Sequence, residues 1–289
     1  MDQSSDTKAA LDNIIQTVGE LPASPTIVSA VMGLTADLDS RVEDISKVLM
    51  SDQTLTAKVL KLSNSSFYGR PKNVATLEEA IMILGFFTVQ SMVVATSAHA
   101  MYTKDDLEGY KAKLWRHSLS AAISARQIAK SIRHPEAEQA FIAALMHDIG
   151  KLVMLQKMPS RYKEIVIEVE AARVSFLEIE TREFGFNHCD VAALLLEKWD
   201  FPPSLIDAIF AHHLPPPFKE DGPVPVAHII HLANFMAKTL DVGFRDAVVD
   251  NPAELESARM LSLDEEKINR LLAEITEHYQ AEIGIFEES

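Results

Sequence analysis

Apolar residues recur at three- and four-residue intervals along almost the whole chain. Leu11, Ile14, Ile15 and Val18 form one such group, Val42, Ile45, Val48 and Leu49 another, and Leu55, Val59, Leu60 and Leu62 a third. This spacing lines one face of an α-helix, and the alternating pattern of a half-buried strand is nearly absent. Local signals agree. Thr76-Leu77-Glu78-Glu79 reads as a capping box that opens a helix through Ile83, and Asn64 to Pro71, with Gly69, reads as a loop. The pattern predicts an all-α fold with two lobes.

The first lobe is expected over residues 21–109, after an N-terminal helix and extension at 1–20, and holds about five short helices. Met101 to Gly109 is a polar break. A second helical lobe is expected over 110–240, with helices at Leu114–Ile132, Pro135 to about His147, Ser160–Ala172, Val191–Trp199, Leu205–His213 and Val226–Leu240. Pro202-Pro203 and Pro215-Pro216-Pro217 bracket the Leu205–His213 segment, because proline starts a helix but cannot continue one. Residues 241–289 carry 13 acidic and 4 basic side chains and one amphipathic stretch, Leu263–Glu277. They are expected to form an acidic helical extension that caps the lobe with a solvated outer face.

Composition narrows the function. With 47% hydrophobic and 24% charged residues in 289, the chain has an ordinary globular make-up and ample material for a core. Its formal charge of −15 repels phosphate backbones and anionic lipid, and no basic run offsets it, so neither nucleic acid nor membrane is an expected partner. The only cysteine, Cys189, has no partner for an internal disulfide, and the first residues lack the pattern of a signal peptide. A cytoplasmic setting is expected.

Chemistry concentrates in the histidines. Ala144-Leu145-Met146-His147-Asp148-Ile149-Gly150-Lys151 is an apolar run ending in a His–Asp pair, then a glycine able to break the helix, then a lysine. Burying an acid and an imidazole is costly unless they are paired or bind a cation. A divalent metal is one answer, since imidazole nitrogen and carboxylate oxygen suit zinc, manganese or iron. A His–Asp hydrogen bond closing a helix end accounts for the dipeptide as well. His117 lies within an amphipathic helix, where a core histidine bonded to a carbonyl is the simpler reading. His188 directly precedes the Val191–Trp199 helix, with Asn187 able to cap it. His212 and His213 end the proline-bracketed helix, where a charged imidazolium would suit the dipole. Taken one at a time these are structural uses. One such group on each of several helices of one bundle points instead to a shared site.

The order His117, His147-Asp148-Ile149-Gly150-Lys151, His188, His212-His213 resembles the HD superfamily of metal-dependent phosphohydrolases. More closely, Leu21-Pro22-Ala23-Ser24-Pro25, Ser51-Asp52-Gln53-Thr54-Leu55-Thr56, Leu62 to Gly69, and Leu77-Glu78-Glu79-Ala80-Ile81 to Leu84-Gly85 are similar to HDOD domains, HD-related output modules of bacterial signalling proteins. The resemblance spans about residues 20–240. It implies a two-lobed all-α fold, a bacterial cytoplasmic setting and a regulatory role. It also implies one or two divalent ions, with iron, manganese, zinc and nickel not distinguished. His117, His147 and Asp148 match ligands of a first metal, and Asp148 would bridge to a second held by His188, His212 and His213. Lys151 matches the lysine that contacts a substrate phosphate, so Lys151 and Asp148 are the candidate catalytic residues.

Three departures from the catalytic pattern stand out. Asn234 occupies the place of the aspartate that completes the first metal site, and its neutral carbonyl is a weaker donor. His228 or His231 could substitute, although both lie on an apolar helix where core or surface roles are simpler. Pro215 to Pro223 lacks the tyrosine of the cyclic-dinucleotide phosphodiesterase signature, and Lys113 replaces a metal-binding glutamate of that branch. The expected function is therefore a signal-transduction module that binds a protein partner or a nucleotide, its input coming from another molecule. The alternative is a metal-dependent phosphohydrolase acting on a phosphoester or nucleotide, and a third reading is an ion that serves folding alone. Phe67-Tyr68 and Phe86-Phe87 could face a partner, with core anchoring expected for those rings.

Overall fold

The computed structural model describes residues 11, 25–37, 39–64, 74–103, 109–217, 224–240, 243–244 and 251–287. Ile14, Ile15 and Val18 of the first expected helix, Leu21 to Ser24, most of the Asn64–Pro71 loop with Phe67 and Tyr68, most of the Met101–Gly109 break, and Phe218 to Pro223 lie outside the described residues. Among the described residues all regular structure is helical, as the apolar spacing predicts. The chain divides into two compact units, one of residues 22–101 with 277–289 and one of residues 1–21 with 102–276.

The unit containing residues 22–101 has five described helices before its C-terminal piece: α1 (Pro25–Ala36), α2 (Val42–Met50), α3 (Gln53–Ser63), α4 (Leu77–Leu84) and α5 (Phe86–Thr103). Their starts follow the sequence. Asp52 accepts from the backbone N–H groups of Thr54 and Leu55, and the Thr76 hydroxyl accepts from that of Glu79. Glu79 reaches back to the amide of Ala75, one residue before the position a regular capping box would use. Between α4 and α5 the chain bends by 109° at Gly85, whose φ of +80° lies in the region that favours glycine. Contrary to the expectation of core anchoring, Phe87 just after this corner is 51% exposed, and Met82 just before it is 67% exposed. Among the described residues no single helix is long and apolar enough to cross a membrane.

The second unit is built on α6 (Tyr110–Ser131), whose alanine- and serine-rich middle is buried on nearly every side. Small side chains there let α7 (Ala137–Met146) and α13 (Val226–Thr239) pack closely against it. Between them run α8 (Ile149–Lys157), α9 (Pro159–Ala172), α10 (Phe176–Phe184), α11 (His188–Lys198) and α12 (Pro203–Phe210). Three of these depart from the sequence reading. Gly150 does not break a helix but lies in the first turn of α8, and α10 was not expected, although Ser175 caps its start and Gly185 ends it with φ +74°. The expected Leu205–His213 helix stops at Phe210, leaving His212 and His213 in the following turn. After α13 come α14 (Glu256–Met260) and α15 (Glu265–Glu287), which outruns the expected Leu263–Glu277 stretch. Its buried stripe includes Ile268, Leu271, Ile275, Ile285 and Phe286, and near its end the Phe286 carbonyl accepts from the buried amine of Lys58.

Candidate metal centre

The candidate donors sit within helices or in the turns directly beside them. His117 lies in the middle of α6 and Asn234 in the middle of α13, while His147 and Asp148 form the turn between α7 and α8. His188 is the first residue of α11, set by a cap in which Asn187 accepts from the amide of Cys189 and Asp190 accepts from that of Asn187. All six groups named from the sequence, His117, His147-Asp148, His188, His212-His213, Asn234 and Lys151, fall within this one unit.

Asp148 is the centre of the arrangement, with 1% of its surface exposed. Its Oδ2 lies 3.3 Å from His147 Nε2, 3.6 Å from His117 Nε2 and 2.8 Å from Lys151 Nζ. Its Oδ1 faces the other way, 3.6 Å from His188 Nε2 and 3.9 Å from His212 Nε2. His117 Nε2 meets Asn234 Oδ1 at 3.0 Å, and His188 Nε2 meets His213 Nε2 at 3.0 Å. Two donors bound to one ion at about 2.0–2.2 Å lie about 3–3.5 Å apart. The side chains thus form two groups with the spacing of coordination shells, sharing one carboxylate.

The imidazoles are aimed. His147 Nδ1 donates to the Ala144 carbonyl (2.6 Å), His212 Nδ1 to the Ile209 carbonyl (2.7 Å), and His188 Nδ1 to Glu180 (2.6 Å). Such bonds orient each ring and aim its Nε2 at the space a cation would occupy. Among the described residues, His147 Nε2, His212 Nε2 and Asp148 Oδ1 are buried without a hydrogen-bond partner. Buried unsatisfied acceptors are rare, and three converging from separate elements fit a cation between them. The structure places His117, His147 and Asp148, and His188, Cys189, His212 and His213, so that each group could hold a metal ion.

Electrostatics follow burial. Desolvation lowers the pKa of His117 to about 3 despite Asp148 beside it, and holds His212 and His213 well below the usual range, so these imidazoles are neutral. Burial alone would raise Asp148, but His147 and Lys151 hold it well below the usual carboxylate range. Burial likewise opposes charge on His188, yet Glu180 overcomes it and raises the pKa to about 10. The positive charge that Glu180 favours is carried by the His188 proton, which an ion bound at Nε2 would displace.

Glu180 is the residue sequence reasoning missed. It is fully buried on α10 and accepts from the His188 backbone (2.8 Å), the His188 ring and the Tyr162 hydroxyl. A signal existed: Glu180 stands four residues after Phe176 and one after Ile179, on the apolar face of an amphipathic helix. Cys189 also lies close, but its sulfur is 3.8 Å from Nδ1 of His212, the nitrogen already given to Ile209. His228 and His231 are spent elsewhere, both on the Ser257 hydroxyl, with His228 also on the Pro216 carbonyl. Lys113 pairs with Glu170 at 3.3 Å. Lys151 is 4% exposed and lies 4.6 Å from the centre of the Phe176 ring. The space beside it, lined by Leu114, His117, Asp148, Phe176, Lys238 and Phe244, measures about 10 Å³, room for about one water molecule.

The chain matches the HDOD domain family over residues 21–215 and belongs to that family. It resembles the crystal structure of an HDOD domain protein of unknown function from Geobacter sulfurreducens, with a TM-score of 0.79 and 23% identity over 99% of this chain and 100% of that one. It also resembles a candidate signal transduction protein from Marinobacter aquaeolei VT8, with a TM-score of 0.75 and 23% identity over 99% of this chain and 66% of that one. A third likeness is to a candidate phosphohydrolase from Shewanella amazonensis SB2B, with a TM-score of 0.65 and 24% identity over 95% and 92% of the two chains. These are likenesses of fold. An uncharacterised protein of Treponema pallidum (strain Nichols) is 24% identical over 241 residues, 83% of this chain, which spans a little under half of that relative's length.

Proposed function

We propose that this chain is a signal-transduction module of the HDOD family whose His/Asp cluster binds one or two divalent metal ions and which acts by binding a protein or a nucleotide. His188, His212, His213 and Asp148 would hold one ion, and His117, His147, Asp148 and Asn234 the other. The first of these sets is the stronger. The second includes the weak carbonyl donor of Asn234, and the Asp148 oxygen that faces it, Oδ2, is shared with the Lys151 ammonium at 2.8 Å.

One observation carries the preference for binding over catalysis. Lys151, which matches a phosphate-contacting lysine, is buried against Phe176 and spent on Asp148, beside a space of about 10 Å³ that holds no phosphoester. The shared carboxylate is what favours the phosphohydrolase alternative, because a bound divalent ion there would polarise a phosphoryl oxygen and lower the pKa of water. Metal-loaded protein assayed with bis(p-nitrophenyl) phosphate and cyclic dinucleotides separates the two. The expected result is no turnover above buffer, and turnover that disappears in Asp148→Ala would establish the hydrolase instead.

A further inference from the structure

The linear sequence offers no basic cluster, yet the fold makes one. A pocket of about 750 Å³ opens between the end of α6, the approach to α7, and the α14–α15 turn. Its size lies within the roughly 300–1,000 Å³ of small-molecule sites. The floor is apolar: Leu261, Leu263 and Leu271 line it and are otherwise buried. Arg133, Lys267 and Arg270 stand around it, with Glu274 the only acid among the lining residues. In a chain of formal charge −15, this is a local reversal of sign over an apolar concavity.

Ion pairing engages these cations only through long, exposed contacts. Lys267 is in the first turn of α15, where the helix dipole disfavours positive charge, and Arg270 follows in the second. Arg270 has only an exposed, 3.7 Å contact with Glu266, which contributes little. Lys267 has an exposed, 3.9 Å contact with Asp264 and donates to the Ser262 carbonyl at 2.8 Å, which anchors its ammonium at the pocket and leaves it a further N–H donor. Arg133 holds a left-handed backbone (φ +55°) just past the end of α6 and, among the described residues, has no carboxylate partner.

We infer that this pocket binds a small organic anion of the phosphorylated-nucleoside class. Guanidinium forks recognise phosphate oxygens in pairs, the leucine floor accepts a flat ring, and Glu274 offers an acceptor to an N–H or O–H of the same ligand. This deepens the binding-module reading by naming its ligand class, and it uses no residue of the metal centre.

The test is fluorescence anisotropy of N-methylanthraniloyl-ADP and N-methylanthraniloyl-GDP titrated with the full chain. Saturable binding of one probe below about 100 μM, competed by the unlabelled nucleotide, is expected. The Arg133→Glu/Arg270→Glu variant should weaken it by about tenfold or more, and if that variant melts early, Arg133→Gln/Arg270→Gln replaces it. Binding should persist after chelator treatment. No saturation of either probe up to about 1 mM overturns the inference. So does equal affinity in the folded double variant, or loss of binding on chelation. Phosphoester turnover would sink the binding-module reading while leaving this titration to decide the pocket.

Discussion

A β-carbon added at Gly150 would lie 2.0 Å from the carbonyl oxygen of His188. The first turn of α8 therefore runs against the backbone that starts α11, and this contact sets Asp148 and His188 at the distance where one carboxylate reaches both donor groups. Gly150→Ala should push the two helix starts apart. The expected loss is about 1–3 kcal/mol of stability, seen as an earlier urea midpoint, together with reduced metal retention. Unchanged stability and metal content would show that the helices separate without effect.

Glu180 holds His188 through both its ring and its amide, and it takes the Tyr162 hydroxyl as well. Glu180→Gln keeps the size but leaves one buried donor contact unmet. Metal affinity measured by chelator competition should fall by about tenfold or more, with helical circular dichroism retained. Equal affinity would remove Glu180 from the support of the site.

Asn234 meets His117 at 3.0 Å with a neutral oxygen. Asn234→Asp adds a negative charge to the donor set that has the weaker claim on an ion. Occupancy should rise toward a second equivalent, with affinity there increased by about tenfold. If metal content and affinity stay as they were, the set around His117 is not an ion site.

Acid should weaken the fold before carboxylates titrate. Burial, with Lys58 nearby, lowers His99 to about 4, and burial, with His228 and Lys238, lowers His231 to about 4. Between that value and the unfolded value of about 6.5, the unfolded chain binds more protons, so stability falls as pH drops through this window. For His99 alone the loss is on the order of 3 kcal/mol. Urea midpoints in chelator at pH 7, 5.5 and 4.5 should decline stepwise, and a flat profile would contradict the assignment.

The helices were legible because apolar spacing and caps such as Asp52 and Thr76 are local signals. Ile149–Lys157 was hidden by reading Gly150 as a stop, when that glycine answers to a backbone far away in sequence. Phe176–Phe184 was hidden by its polar surface, despite Ser175 and Gly185 at its ends. The candidate donors His117, His147, Asp148, His188, His212, His213 and Asn234 stood out by residue type and order. Glu180 did not, because an acid within Glu178-Ile179-Glu180-Thr181-Arg182-Glu183 resembles a solvated face. The grouping of Arg133 with Lys267 and Arg270 exists only in three dimensions.

Asp148 and its histidines are proposed to hold metal. Elemental analysis of protein purified without added metal or chelator, beside the His147→Ala/Asp148→Ala variant, tests it most directly. About one to two equivalents of iron, manganese, zinc or nickel in the wild type, lost in the folded variant, is the predicted result. A wild-type chain that carries no metal and takes up none on reconstitution would contradict it.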